Sequence, residues 1–198
     1  MTATPRTALR ARPGRVALAA LGAFAALMAA MTVAATRFHD AYGSGILNLL
    51  GARNAAEPRT GGYSADTAYA WLTAFGADGR RDHLLVLLLD LPLIAAFTLF
   101  TAATLRWATP RARAGLRWAL LAVPLAAAAA NLLEDAGLTA LLTAYPAHLD
   151  GLAAAVSAVN GLKSGLYSAS LLLAVTAAAV RGVVLATGRC RVPGPATG

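Results

Sequence analysis

Residues 84–105 read LLVLLLDLPLIAAFTLFTAATL, and this stretch decides the fold. It meets the roughly 20 apolar residues needed to cross the hydrocarbon core of a bilayer. Lipid offers the backbone no hydrogen bonds, so a crossing segment of this kind must be a helix. One charge, Asp90, interrupts it, and Pro92 follows closely. The proline removes a backbone donor and loosens the helix beside the acid.

Three more apolar runs of sufficient length lie at 16–36, 117–143 and 152–180. The expected fold class is all-α: a four-helix transmembrane bundle with a short amphipathic helix in the first outer loop. The organisation read from the sequence is a basic cytoplasmic tail over 1–15, a four-span membrane domain over 16–185 and a disordered cytoplasmic tail over 186–198. The outer loop spans 37–83. Composition agrees: the 198-residue chain is 58% hydrophobic and 13% charged, against about 25% charged in a soluble domain. The first run exceeds the roughly 7–15 apolar residues of a signal peptide, so it is read as an uncleaved span.

The net charge of +8 is distributed as an orientation signal. Arg6, Arg10, Arg12 and Arg15 precede the first span. Arg106, Arg111, Arg113 and Arg117 lie between the second and third, and Arg181, Arg189 and Arg191 follow the last. The 144–151 loop has neither Lys nor Arg. The bias of basic residues toward the cytoplasm then puts both termini inside a plasma membrane. Arginine-rich usage with a single lysine suits a GC-rich bacterial genome, hence a bacterial inner membrane. No basic stripe is interleaved with aromatics, which argues against a nucleic-acid partner.

Soluble-enzyme signatures are absent: there is no G-x-S-x-G, P-loop, dinucleotide glycine motif or H-E-x-x-H. Cys190 is the only cysteine and has no partner for a disulfide or a metal. His39, His83 and His148 all map to the outer side, but their spacing matches no metal motif. No cofactor and no metal are expected.

The chemistry lies in charges buried in the spans: Asp90, Glu134, Asp135 and Lys163. Each costs about 3 kcal/mol near a helix centre. Asn131, Glu134 and Asp135 are spaced i, i+3, i+4 and share a face. Ser157, Asn160, Lys163, Ser164 and Tyr167 share a face of the fourth span. At about 1.5 Å per residue, Asp90 is roughly 10 Å deep, Glu134 roughly 14 Å and Lys163 roughly 16 Å. One polar layer is therefore expected. One lysine cannot neutralise three carboxylates in low dielectric, so at least one carboxyl is expected to keep its proton.

On this reading Asp90 and Glu134 are candidate acid/base or cation-binding groups, with Lys163 as counter-charge. Asn131, Asp135, Asn160 and Tyr167 complete a ligand site, and Arg80 is a candidate for an acidic headgroup. The function expected is binding of a small lipophilic or cationic ligand, or proton exchange. Whether an enzyme is involved stays open. The alternative is a non-catalytic structural or interaction subunit, and an ion pathway would need an oligomer. The partners that follow are membrane lipids, a lipophilic small molecule, and a second copy or another membrane protein. A purely structural reading has the asparagines and a Glu134–Lys163 pair staple the helices, with Gly161 and Gly165 allowing close approach.

In the outer loop Ser64 is the expected N-cap of a helix over 65–75, and Gly76 its stop. Asp78 is the expected cap of the helix leading into the second span. Tyr69, Trp71 and Phe75 suit the headgroup level. A short apolar piece, 46–50, is expected on the surface or against the bundle.

Tyr69-x-x-Leu72, Gly76-x-x-Gly79-Arg80, Asp90-x-Pro92, Asn131-x-x-Glu134-Asp135 and Tyr145-Pro146 together resemble a group of small four-span bacterial membrane proteins without an established activity. The resemblance covers roughly residues 63–170. It implies the four-helix fold and groups Asp90, Asn131, Glu134 and Arg80 as a set, without implying a reaction. Asp135 replaces an amide of that pattern, and His83 stands where an aromatic is more usual. At the level of the fold alone the chain is also similar to sterol-isomerase and sigma-2-receptor bundles, which bury carboxyls among their helices.

Overall fold

The computed structural model describes residues 13–42 and 63–189. They form four helices: α1 (Pro13–Tyr42), α2 (Ala65–Ala108), α3 (Ala114–Ala144) and α4 (Asp150–Arg189). All four are long and apolar enough to cross a membrane, so the chain is a multi-pass α-helical membrane protein. The expected segment 46–50 and Cys190 lie outside the described residues. Helix α4 continues as far as Arg189, past the boundary expected at 185.

Aromatic contacts give the directions. Phe38 packs against Phe75 and His83, while Phe24 packs against Phe97. Helices α1 and α2 are therefore antiparallel. Thr73 meets Tyr145, and Asp90 meets Asn131, so α2 and α3 are antiparallel as well. Helix α2 is central. It packs against α1, α3 and α4, and α3 packs against α4, but α1 makes no comparable face with α3 or α4. Among the described residues one seam of the bundle, between α1 and α4, is left open.

Helix α2 is broken once. Ser64 accepts a hydrogen bond from the Thr67 N–H at 3.1 Å and caps the first piece. Gly76 has φ 64° and ψ −170°, a conformation in which a Cβ is strained. It is the single non-helical residue inside α2. The helix thus resumes before Asp78, and that residue sits in the new first turn rather than capping it. Arg80 donates to the Leu72 carbonyl at 2.9 Å, across the break, and its guanidinium lies 4.1 Å from the Tyr145 ring centre. At Gly79 an added Cβ would lie 2.9 Å from Tyr42 Cδ1, so the absence of a side chain lets the end of α1 close onto α2.

The piece over 65–75 folds onto the bundle and caps this end. Tyr69, Leu72 and Phe75 are buried in one cluster with Phe38, Tyr63, Leu138 and Val156. Tyr69 and Phe75, expected at the headgroup level, pack inward against the protein, because the turn at Gly76 folds this piece onto the bundle. The Tyr69 hydroxyl takes the Leu149 N–H and donates to the Ala147 carbonyl, tying the cap to the α3–α4 turn. Along the rest of the bundle Leu88, Leu99, Leu133, Leu172 and Val175 are exposed, as helices facing acyl chains require.

The close approach of α3 and α4 occurs at Gly137, where a Cβ would run into Val156. The expected pair Gly161 and Gly165 is exposed instead, and Gly165 faces open space. Those glycines lie on the opposite face of α4 from the one that packs.

Candidate functional site

Three helices deliver the polar layer. Helix α2 supplies Asp90; α3 supplies Asn131, Glu134 and Asp135; α4 supplies Ser157, Asn160, Lys163 and Tyr167. All but Lys163 and Tyr167 are buried. The i, i+3, i+4 spacing on α3 turns its three residues toward the other helices, as expected.

The layer has two halves. In one, Glu134 is fully buried and accepts from Asn160 Nδ2 at 2.5 Å, while its second oxygen pairs with Lys163 Nζ. This half joins α3 to α4. In the other, Asn131 Nδ2 donates to Asp90 Oδ2 at 2.8 Å and to the Tyr167 hydroxyl at 3.1 Å. This half joins α2, α3 and α4 through one amide. Ser157 stands apart, accepting the Tyr63 N–H at 2.8 Å at the capped end.

A cavity of about 680 Å³ opens beside the second half. Its α1 wall is Phe24, Met28, Met31, Thr32, Ala35, Thr36 and His39. Its floor is Asp90, Leu93 and Asn131, and its α4 wall is Lys163, Ser164 and Tyr167. Thr32, Thr36 and Ser164 on the rim are exposed. The cavity is therefore a cleft along the seam where α1 and α4 do not meet. The Thr32 and Thr36 hydroxyls are turned onto the Met28 and Thr32 carbonyls at 2.8 and 2.9 Å. Phe97 lies 4.5 Å from Tyr167 and 5.3 Å from Phe24, ring centre to ring centre, closing the end of the cleft away from the cap.

The expected site residues thus divide. Asp90, Asn131, Lys163 and Tyr167 meet at the cleft. Glu134 and Asn160 stand behind Lys163 and do not line it. Asp135 is also buried off the cleft; its Oδ2 has no hydrogen-bond partner among the described residues. Arg80 is not brought to the layer, because its side chain is used across the Gly76 break.

Sequence reasoning missed the α1 wall. That helix carries no charge between Arg15 and Arg37, so nothing marks one of its faces as lining a cavity. Sequence reasoning placed His83 on the outer side without foreseeing its burial: the ring is fully buried against Phe38 and Phe75, with neither nitrogen hydrogen-bonded among the described residues. Among those residues no three His, Cys, Asp or Glu side chains gather as a metal site requires.

Compared with family models, with curated proteins and with solved structures, the chain matches none. Fold and site together define its class: a four-helix membrane protein with a carboxylate, amide and lysine layer at the base of a cleft between its first and last helices.

Proposed function

We propose that this protein binds a small amphipathic molecule in the cleft between α1 and α4. The observation that supports this is the cleft itself: about 680 Å³, largely apolar in lining, with Asp90 and Asn131 on its floor and Lys163 beside them on the α4 wall. Small-molecule sites typically occupy roughly 300–1,000 Å³ and combine apolar walls with a few convergent polar groups. The open seam faces the side of the bundle, so the ligand arrives from the lipid phase. Its apolar body lies against Phe24, Met28, Met31 and Leu93, and its polar end reaches Asp90.

Roles follow from position. Asp90 is the group that meets the ligand, and any proton exchanged with it passes through that carboxyl. Glu134 and Asn160 hold Lys163 in place and are positioning residues. In this reading the capped end faces outward and both arginine-rich termini are cytoplasmic, in keeping with the charge bias. The resemblance to small four-span bacterial membrane proteins fits the same grouping, apart from Arg80.

The test is native mass spectrometry of protein extracted in a neutral maltoside detergent. The expected result is a retained small molecule that is lost in Thr32→Phe, which obstructs the mouth of the cleft, with the melting temperature kept. A molecule retained by Thr32→Phe overturns the reading. So does a stoichiometric membrane protein bound in its place, which would make the seam a docking groove for a partner helix.

A further inference from the structure

We infer that the cleft selects a monocationic amphiphile, holding an ammonium or similar cation against Asp90. This deepens the proposed function and rests on it. The argument is charge placement. The layer contains three carboxyls, Asp90, Glu134 and Asp135, and one lysine. Lys163 is committed to Glu134, whose carboxylate is fully buried and, among the described residues, takes one further bond, from Asn160. An anionic ligand would have to draw Lys163 away and leave that carboxylate unpaired in a low dielectric, which is strongly unfavourable.

Asp90 is the opposite case. It lines the cleft, and its partner there is a neutral amide, Asn131, bonded to one of its two oxygens. No Lys, Arg or His forms an ion pair with it among the described residues; Lys163 lines the same cleft but pairs with Glu134. Asp135, one helical turn beyond Asn131 and also buried, adds a third carboxyl to the layer and forms no ion pair of its own among the described residues. A cation in the cleft restores balance to the layer and gives Asp90 a charge-assisted partner.

The walls suit the same ligand. Tyr167 and Phe24 line the cleft, and aromatic rings are the apolar side chains that attract an alkylammonium group. The threonine hydroxyls of α1 donate to their own backbone and so are not free to donate to an anion. His39, at the capped end of the cleft, is the remaining titratable group on the α1 side.

The experiment uses three probes of similar size on the full chain in neutral maltoside. They are benzyltrimethylammonium, its uncharged isostere neopentylbenzene, and benzenesulfonate. Binding is read by calorimetry and by the shift in melting temperature. The expected result is that the cation binds about tenfold or more tightly than the isostere. Asp90→Asn should remove that preference, and Thr32→Phe should remove binding of both. If the isostere binds as well as the cation and Thr32→Phe abolishes both, the cleft stands and the cation assignment fails. If benzenesulfonate is preferred, the assignment is reversed in favour of Lys163. If no probe binds, or Thr32→Phe changes nothing, the cleft reading fails and this inference with it. The comparison of probes on the unsubstituted chain decides the charge question even where Asp90→Asn does not fold.

Discussion

Lys163 and Glu134 form an ion pair across α3 and α4 in which the carboxylate side chain is 0% exposed and the lysine 12%. The pair is asymmetric, with one member sealed inside the bundle and the other at the edge of the cleft. Removing the lysine strands a charge, whereas removing both restores an uncharged contact.

A double-mutant cycle measures this. Lys163→Met should lower stability by about 3–5 kcal/mol, because Glu134 is left buried and uncompensated. Glu134→Gln with Lys163→Met should recover most of the loss, since Asn160 can still hydrogen-bond the new amide. Reversible unfolding in detergent gives the four corners of the cycle. A double variant as unstable as Lys163→Met alone would contradict the account.

The spans and the polar layer were legible in the sequence because both rest on strong local rules. Apolar length identifies a crossing helix, and a charge within it demands partners. Helical periodicity then grouped Asn131 with Glu134 and Asp135, and Asn160 with Lys163 and Tyr167. What was not legible depends on which helix touches which. Nothing in residues 16–36 says that α1 packs on α2 and leaves a seam beside α4. Arg80 shows the same limit from the other side. Its charge suggested a ligand, but the Leu72 carbonyl lies eight positions back in the chain and within reach only because Gly76 turns the helix.

Helix approach separates two glycines of the sequence. At Gly137 a methyl group would meet Val156, so Gly137→Ala should destabilise by about 1–3 kcal/mol. Val156→Ala in the same chain should relieve much of that cost by vacating the space. Gly165→Ala faces open space and should be neutral or slightly stabilising, through better helix propensity. Melting temperatures of the three variants check the pattern, and a Gly165→Ala variant more damaging than Gly137→Ala would refute it.

The break in α2 makes a different prediction, because strain and packing are separated there. Gly76 has room for a Cβ but the wrong backbone angles, so Gly76→Ala should cost about 1–3 kcal/mol from conformation alone. Arg80→Lys keeps the charge but loses the planar group that spans the Leu72 carbonyl and the Tyr145 ring. It should loosen the cap selectively. Hydrogen exchange should then quicken over 65–75 and leave α3 and α4 unchanged. Uniform loss of protection through the bundle would show that Arg80 acts on the whole fold instead.

Asn131 is where three helices meet, and its substitutions should rank by how much charge they leave unbalanced. Its amide N–H group serves both the Asp90 carboxylate and the Tyr167 hydroxyl. Tyr167→Phe removes only an acceptor, and Asn131 keeps Asp90 as a partner, so the cost should be about 1 kcal/mol or less. Asn131→Ala removes the donor and leaves the buried Asp90 carboxyl without it, which should cost about 1–3 kcal/mol. Asn131→Asp is nearly the same size but sets a third carboxyl beside Asp90 and Asp135, with no added base. It should be the most damaging of the three at neutral pH, and acidification should narrow its gap to Asn131→Ala as the added carboxyl takes up a proton. Unfolding in detergent at two pH values checks both the ranking and the narrowing. If Tyr167→Phe proved as costly as Asn131→Ala, the amide would not be the joint between these helices.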